Sequence, residues 1–396
     1  MNEQITSKIN EILNVLSNSN LNNIALLTGN TGISLFEFYL SEVQKNETLK
    51  ETAAKRIENV FNEIENGTSV QFSYCNGLAG LGWFLEFAGE NNLYDYDTNA
   101  ILEDIDDYLA KMLKIQLNAH HWDFLHGAVG IGYYFLSRFD KNEKVFENLE
   151  IIVEFLEKTA FKDENNNLFW KTFDKDKNII TNISLSHGMS SIVMFLLKVA
   201  QKNILTERVE KLLFSSVDFI LSQEVDKERY GNYFPSYSKE SEERQYSSRL
   251  GWCYGDLGIA TTIYNVGKHF NKQNLIDKAI EVLLYTANCR RDLTKNYIVD
   301  AGLCHGAAGV AAIFYRMWWN TQISDFKNAA DYWIEKTLEI AKFHDGLAGY
   351  KAYRSEEYGG WVNEYSVLEG VAGIGLILAS YLYEAEPKWD KCLLIN

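Results

Sequence analysis

The sequence holds only 2 prolines and 5 cysteines among 396 residues, and its 38 Lys and Arg are outnumbered by 54 Asp and Glu. Each shortage excludes something. Proline breaks helix interiors, so its scarcity permits long uninterrupted helices throughout. Cys75, Cys253, Cys289, Cys304 and Cys392 are too few, and odd in number, for a disulfide framework. Any chemically important cysteine is then a ligand or a nucleophile. A formal net charge of −16 works against phosphate backbones and anionic lipid, because both are bound by clustered Lys and Arg. Nucleic acid is therefore not an expected partner. No stretch reaches about 18 uninterrupted apolar residues, and the N-terminal MNEQITSKINEILNVL mixes charges into its first turns where a secretion signal has an apolar core. These absences predict a cytoplasmic protein with no transmembrane segment.

What remains is an ordinary globular composition, 46% hydrophobic and 23% charged, with length enough for a substantial core. Length alone suggests two or three domains, but internal repetition overrides that prior. A Gly-x-x-Gly signature followed by an apolar run recurs as TGNTGISLFEF, NGLAGLGWFLEF, HGAVGIGYYFL, HGMSSIVMFLL, YGDLGIATTIY, HGAAGVAAIFY and EGVAGIGLILA. Its first glycines stand at 29, 77, 127, 188, 255, 306 and 370, so seven copies at spacings of 48 to 67 residues account for the chain. The fourth copy has Ser191 where the second glycine is expected, and the fifth has Leu257 just before its second glycine.

Between signatures lie amphipathic segments. In LIDKAIEVLLYTA, the pairs Leu275 and Ile276, Ala279 and Ile280, and Leu283 and Leu284 recur every fourth residue, with Asp277, Lys278 and Glu281 between them. The segments after each signature are apolar nearly all round, so they must be covered on every side. An inner ring of apolar helices inside an outer ring of amphipathic ones satisfies both patterns. An open solenoid would need polar caps at its ends, and neither terminal pair differs from the middle ones. The expectation is an all-α fold, an (α/α)7 toroid or barrel of seven helical hairpins, forming one domain over residues 1–396. Polar, aromatic-rich insertions at 161–183, 223–250 and 350–366 each precede an inner helix, and they are expected to rise on one rim, where loops on a rigid scaffold carry binding sites.

Two signatures carry cysteine, in WCYGDLG and CHGAAG. If the signatures cluster, Cys253, Cys304 and His305 converge as two thiolates and an imidazole, a set that suits zinc with its fourth position open. The plain alternative is two small buried cysteines and a loop histidine. Cys75 in YCNGLAG is a weaker competitor, and Cys289 and Cys392 read as packing residues. His126 reads as a helix-start hydrogen-bonding group, His120, His121 and His344 as solvated, and Asp256 as a carboxylate in a helix's first turn.

WCYGD at 252–256 with CHG at 304–306, set in seven glycine-marked helix pairs, resembles the lanthionine synthetase C-like family, the lanthipeptide cyclases. The resemblance covers essentially the whole chain. It implies a catalytic Zn2+ held by Cys253, Cys304 and His305, and an enzyme that closes thioether rings in a precursor peptide already dehydrated at Ser and Thr. A peptide thiol adds in Michael fashion to dehydroalanine or dehydrobutyrine, giving lanthionine or methyllanthionine. Carried across, the family pattern places the catalytic histidine at His187 in LSHGMSS and the acidic residue at Asp123 in HWDFLHGAVG. Arg249, Tyr254 and Trp252 match further pocket residues. The attack generates an enolate that needs a proton; a histidine titrating near neutrality suits its delivery, with Asp123 orienting it or relaying protons. Arg249 is expected to stabilise the enolate or to hold Asp123. The seven repeats fill the chain, so a separate dehydratase is the expected partner, together with the precursor peptide and an exporter. Two other functions fit the pattern. One is addition of glutathione to dehydroamino acids in proteins, and the other is a non-catalytic toroid that holds a peptide or a partner.

Overall fold

A computed structural model describes residues 1–19, 21–67, 70–93, 98–173, 177–241 and 245–396. Long helices alternate in pairs along it. The first four pairs are α1 (Asn2–Ser17) with α2 (Asn30–Gln44), α3 (Glu47–Glu65) with α4 (Leu78–Glu90), α5 (Asn99–Asn118) with α6 (Ala128–Arg138), and α7 (Val145–Thr159) with α8 (Met189–Gln201). Then come α9 (Thr206–Ser222), a short α10 (Lys227–Tyr230), and α11 (Asp256–His269). The last pairs are α12 (Gln273–Cys289) with α13 (Ala307–Thr321) and α14 (Ser324–Ile340) with α15 (Val371–Leu382).

The second helix of each pair is the one marked by the glycine signature, and in every case the first glycine is its N-cap. These inner helices are buried along nearly their full length, as α15 is from Val371 to Tyr381. Their partners bury one stripe only; in α12 it is Leu275, Ala279, Val282, Leu283, Thr286 and Ala287. The predicted division into apolar and amphipathic helices is therefore present.

The glycine loops share a backbone device. In six of the seven, the N–H after the first glycine donates to the carbonyl six residues before that glycine, as from Ala128 to His121 (3.0 Å) and from Met189 to Asn182 (2.8 Å). This satisfies a donor that a helix start leaves unpaired. The second glycine lets the helix pass close to this loop: at Gly309 a Cβ would lie 1.9 Å from the Leu303 carbonyl oxygen. The fifth loop departs from the rule. Gly255 has φ +84°, open to glycine and strained for other residues. Asp256, at the first position of α11, is fully buried and accepts from the Tyr233 and Phe234 N–H groups (3.0 and 2.8 Å) and from Arg290 Nη1 (3.0 Å). Its carboxylate is thus a tie between three segments as well as a first-turn charge.

Internal contacts divide the chain into two compact units, Met1–Thr98 with Asp292–Leu394 and Asn99–Arg291; Asn396 joins the first and Ile395 the second. In the first unit α15 packs against both α1 and α2, so the last pair meets the first. The residues two before each first glycine form a backbone ladder there: Cys304 N–H donates to Leu368 (2.8 Å), Leu368 to Leu27 (3.0 Å) and Leu27 to Cys75 (3.2 Å). A 3-10 segment, Lys388–Leu393, buries Trp389 and Cys392, and Arg316 of α13 reaches Asp390 with Nε (2.6 Å) and Nη2 (3.0 Å). The second unit has the same ladder between Ser186 and Cys253 (3.4 Å).

Two of the insertions contain strands. Within 161–183, β1 (Phe161–Lys162) pairs antiparallel with β2 (Leu168–Phe169), and β3 (Thr172–Phe173) with β4 (Ile179–Ile180). Within 350–366, β5 (Ala352–Tyr353) pairs likewise with β6 (Trp361–Val362). Within the insertions, residues 174–176 and 242–244 lie outside the described residues. Cys392 packs in the core as expected, but Cys289 does not: it ends α12 and is exposed. No described helix is long and apolar enough to cross a membrane.

Candidate active site

The loops that start α6, α8 and α11 bring the predicted acid–base residues together within the second unit. Asp123 sits four residues before the N-cap of α6, where its Oδ1 accepts the His126 N–H at 2.7 Å. That bond fixes the carboxylate and aims Oδ2 at His187, whose Nδ1–H donates to it at 2.7 Å. His187 occupies the matching loop of α8, with its own N–H held by Ser184 Oγ (3.3 Å). With Nδ1 committed to Asp123, Nε2 is the nitrogen available for chemistry.

Burial opposes protonation of His187, but the hydrogen bond and charge of Asp123 outweigh it and raise the imidazole above its ordinary value. Burial likewise works to raise Asp123, and the bond and charge of His187 prevail, so its carboxyl is lowered. Both shifts run in the direction that favours an imidazolium held by a carboxylate. Exchanging Asp123 for Asn is expected to lower the His187 pKa, since it removes the charge that offsets burial. A ring-proton NMR titration checks this, and an unchanged or raised value would refute the assignment.

Both residues line a cavity of about 520 Å³. His120, His121, Trp122 and His126 continue its wall on the α6 side, and Thr172, Phe173 and Ile180 of the β3–β4 pair form another side. Asn182, Tyr237 and Tyr254 complete it. Asn182 Oδ1 accepts the Ser184 N–H (2.9 Å), and its Nδ2 donates to the Tyr254 hydroxyl (3.3 Å). That leaves the Tyr254 proton directed elsewhere. Burial pushes the Tyr254 pKa well up, so the group stays a neutral donor. Tyr237 meets the Tyr254 ring edge-on at 6.4 Å.

Other expected residues fall outside this cavity. Cys253 is buried, at the ladder position before α11. Trp252 is completely buried, a core residue and not a wall of the cavity. Arg249 is half-buried, and among the described residues the partners of Asp123 are His187 and the His126 backbone, so Arg249 does not hold it. In the first unit Cys304 and His305 lie in the loop that starts α13, both half-buried. His305 Nε2 faces Asp300 Oδ2 at 3.8 Å. Asp300 is itself fixed by the N–H groups of Gly302 (3.1 Å, to Oδ1) and Tyr353 (2.9 Å, to Oδ2).

Several of these residues escaped the sequence reading. His120, His121 and His126 were expected to be solvated or merely structural, yet all three line the cavity. The signal lay in their closeness to Asp123. Asp300 and Asn182 stand six residues before a first glycine, as does Asn23, and in all three the side chain accepts an N–H two residues on. His344 is exposed, as expected.

Fold and site together define a mostly helical repeat protein that gathers a carboxylate–imidazole pair at the loops leading into its inner helices. Residues 20–394 match the family described as lanthionine synthetase C-like protein, and the chain belongs to that family. It is 23% identical over 412 residues to the nisin biosynthesis protein NisC of Lactococcus lactis subsp. lactis, an alignment spanning 96% of this chain and 90% of that protein. It is 24% identical over 413 residues to glutathione S-transferase LANCL1 of Danio rerio, covering 97% and 90% respectively. Among solved structures, nisin cyclase superposes with a TM-score of 0.75 at 19% identity, over 99% of this chain and 97% of that one. That similarity shows the fold, the helical toroid of the family.

Proposed function

We propose that this protein is a lanthipeptide cyclase, which adds cysteine thiols of a dehydrated precursor peptide to dehydroalanine or dehydrobutyrine and so forms lanthionine or methyllanthionine rings. The observation that carries the reading is the Asp123–His187 pair, set at the wall of a cavity in a chain of this family. The similarity to NisC supports the same substrate class.

Cys253, Cys304 and His305 are the residues that would hold a zinc ion. Their donors are two thiols and one imidazole, and that set fits zinc with a position left for substrate. Asp300, whose Oδ2 stands 3.8 Å from His305 Nε2, is placed as the carboxylate neighbour that metal-binding histidines usually have. When bound, zinc would lower the pKa of the substrate thiol so that sulfur reacts as thiolate at neutral pH.

The chain's own residues manage the rest. Addition of sulfur to the alkene carbon pushes electrons toward the neighbouring carbonyl, and the resulting enolate takes a proton at Cα. His187 delivers it from Nε2, and Asp123 keeps the ring oriented and protonated. The Tyr254 hydroxyl, anchored by Asn182, donates to the developing enolate oxygen. Phe173 and Ile180, with Trp122 and Tyr237, give the cavity the apolar and aromatic surface that excludes water around the reacting alkene. The peptide must arrive dehydrated and leave as a cyclised product, so a dehydratase and an exporter are the expected partners, with the reaction placed in the cytoplasm.

The test is incubation with a peptide bearing one dehydroalanine and one cysteine. Ring closure is an isomerisation, so the peptide mass stays constant while its thiol becomes inaccessible to alkylation. A thiol that remains alkylatable contradicts the proposal. The similarity to LANCL1 favours a second reading, addition of glutathione to the dehydroamino acid. That reaction would appear in the same experiment, with glutathione present, as a mass gain.

A further inference from the structure

Four of the chain's seven histidines, His120, His121, His126 and His187, line one cavity. The ring-closing reading uses one of them. The His126 ring lies almost parallel to that of His187, with centroids 5.9 Å apart and an interplanar angle of 22°. Asp123 binds both residues through different oxygens, the His126 backbone N–H on Oδ1 and the His187 ring on Oδ2, each at 2.7 Å. The clamp on His126 therefore leaves its imidazole out of the pair. Neither of its ring nitrogens has a hydrogen-bond partner among the described residues.

The proposed chemistry needs a second proton site. Each ring closure removes a proton from sulfur and adds one to Cα. An imidazole that must be protonated to serve as the donor cannot accept the thiol proton at the same moment. We propose that His126 is a second acid–base residue of this site, taking the proton that leaves the substrate thiol while His187 supplies the one that Cα gains. The proposal rests on the ring-closing reading given above.

The step balances. The S–H bond breaks and its proton moves to the free nitrogen of neutral His126. The sulfur electron pair forms the S–Cβ bond, and the alkene π pair moves onto the enolate. Cα then takes the Nε2 proton of His187, leaving that ring neutral and His126 positively charged. Transfer between the adjacent rings, directly or through one water, restores the starting state with no further reactant. The surroundings favour this division. Burial lowers the His126 pKa, and the charges of His187 and His121 lower it further against the opposing charge of Asp123. Asp123 meanwhile raises His187. The two neighbours are thus driven in opposite directions, one toward base and one toward acid.

The test uses the full-length, zinc-loaded chain with the dehydroalanine- and cysteine-bearing peptide. His126→Gln and His126→Ala are each expected to lower kcat by about 10²-fold, the range of one general acid–base group, with KM and zinc content unchanged. Added imidazole should restore part of the rate to His126→Ala. Since Asp123 binds the backbone of residue 126, neither exchange removes that loop bond. In the peptide-free chain, His187→Asn should raise the His126 pKa in an NMR titration by removing a neighbouring positive charge. Wild-type turnover with indifferent His126 variants, or a His126 titration unmoved by His187→Asn, would overturn the proposal. A wild-type chain that leaves the peptide open would instead contradict the ring-closing reading on which it rests.

Discussion

Cyclisation by the His187→Ala chain is expected to fall by about 10²- to 10⁴-fold, the span that a general acid contributes, while bound zinc stays at the wild-type level. His187 is committed through Nδ1 to Asp123, which leaves Nε2 for the enolate carbon. The proposed metal ligands are other side chains, so removing this imidazole strips the proton donor and spares the thiol-activating group. The sign of the pH dependence follows as well. A ring whose folded pKa is raised stays protonated to higher pH than a free histidine, so the donor is present below that value and lost as pH rises through it. The same pair stabilises the fold fully below the unfolded histidine value and loses that contribution over the same rise. Full activity in the variant would remove His187 from the mechanism.

Cys304→Ala is expected to abolish both zinc binding and ring closure. A set of three protein ligands has no spare member, and losing one thiolate removes a charge as well as a bond. Metal analysis should move from about one zinc per wild-type chain, the count such a set implies, to none in the variant. The exchange leaves the local backbone intact, because Cys304 joins the ladder through its N–H to Leu368 and not through sulfur. Unchanged circular dichroism alongside lost zinc would separate ligand removal from unfolding. Retained zinc would contradict the ligand assignment, and a metal-free chain that still bound peptide would favour a scaffold.

Much of the fold was legible because its constraints act on the backbone and repeat. A carbonyl 1.9 Å from where a Cβ would stand at Gly309 demands glycine, and equivalent approaches recur at Gly32, Gly80 and Gly373. The apolar and amphipathic helices announced themselves by composition. Charges inside the apolar helices were not legible. Glu37 of α2 is fully buried and takes two hydrogen bonds from Arg56 of α3, and Arg138 of α6 donates from Nε and Nη2 to Oδ2 of Asp106 in α5. Within a sequence such residues are indistinguishable from solvated ones, since what decides the matter is a partner on another helix.

The site divides along the same line. Asp123 and His187 are 64 residues apart, so no local pattern joins them, and they emerged from family resemblance. Their hydrogen bond exists only because the fold brings the loops before α6 and α8 together. Two-residue strands are too short for alternation to betray, which hid the strand pair bearing Phe173 and Ile180. The histidines at 120, 121 and 126 are hidden for a related reason: a loop histidine reads as solvated, or as a helix-start group, until the facing wall is known.

The most direct test of the account is ring closure in D2O, with the configuration at Cα read in the product. A proton delivered by His187 from one side of the bound peptide predicts one deuterium per ring and a single configuration. A mixture matching that formed by the peptide in buffer alone would show that the site does not place the proton, and would contradict the mechanism.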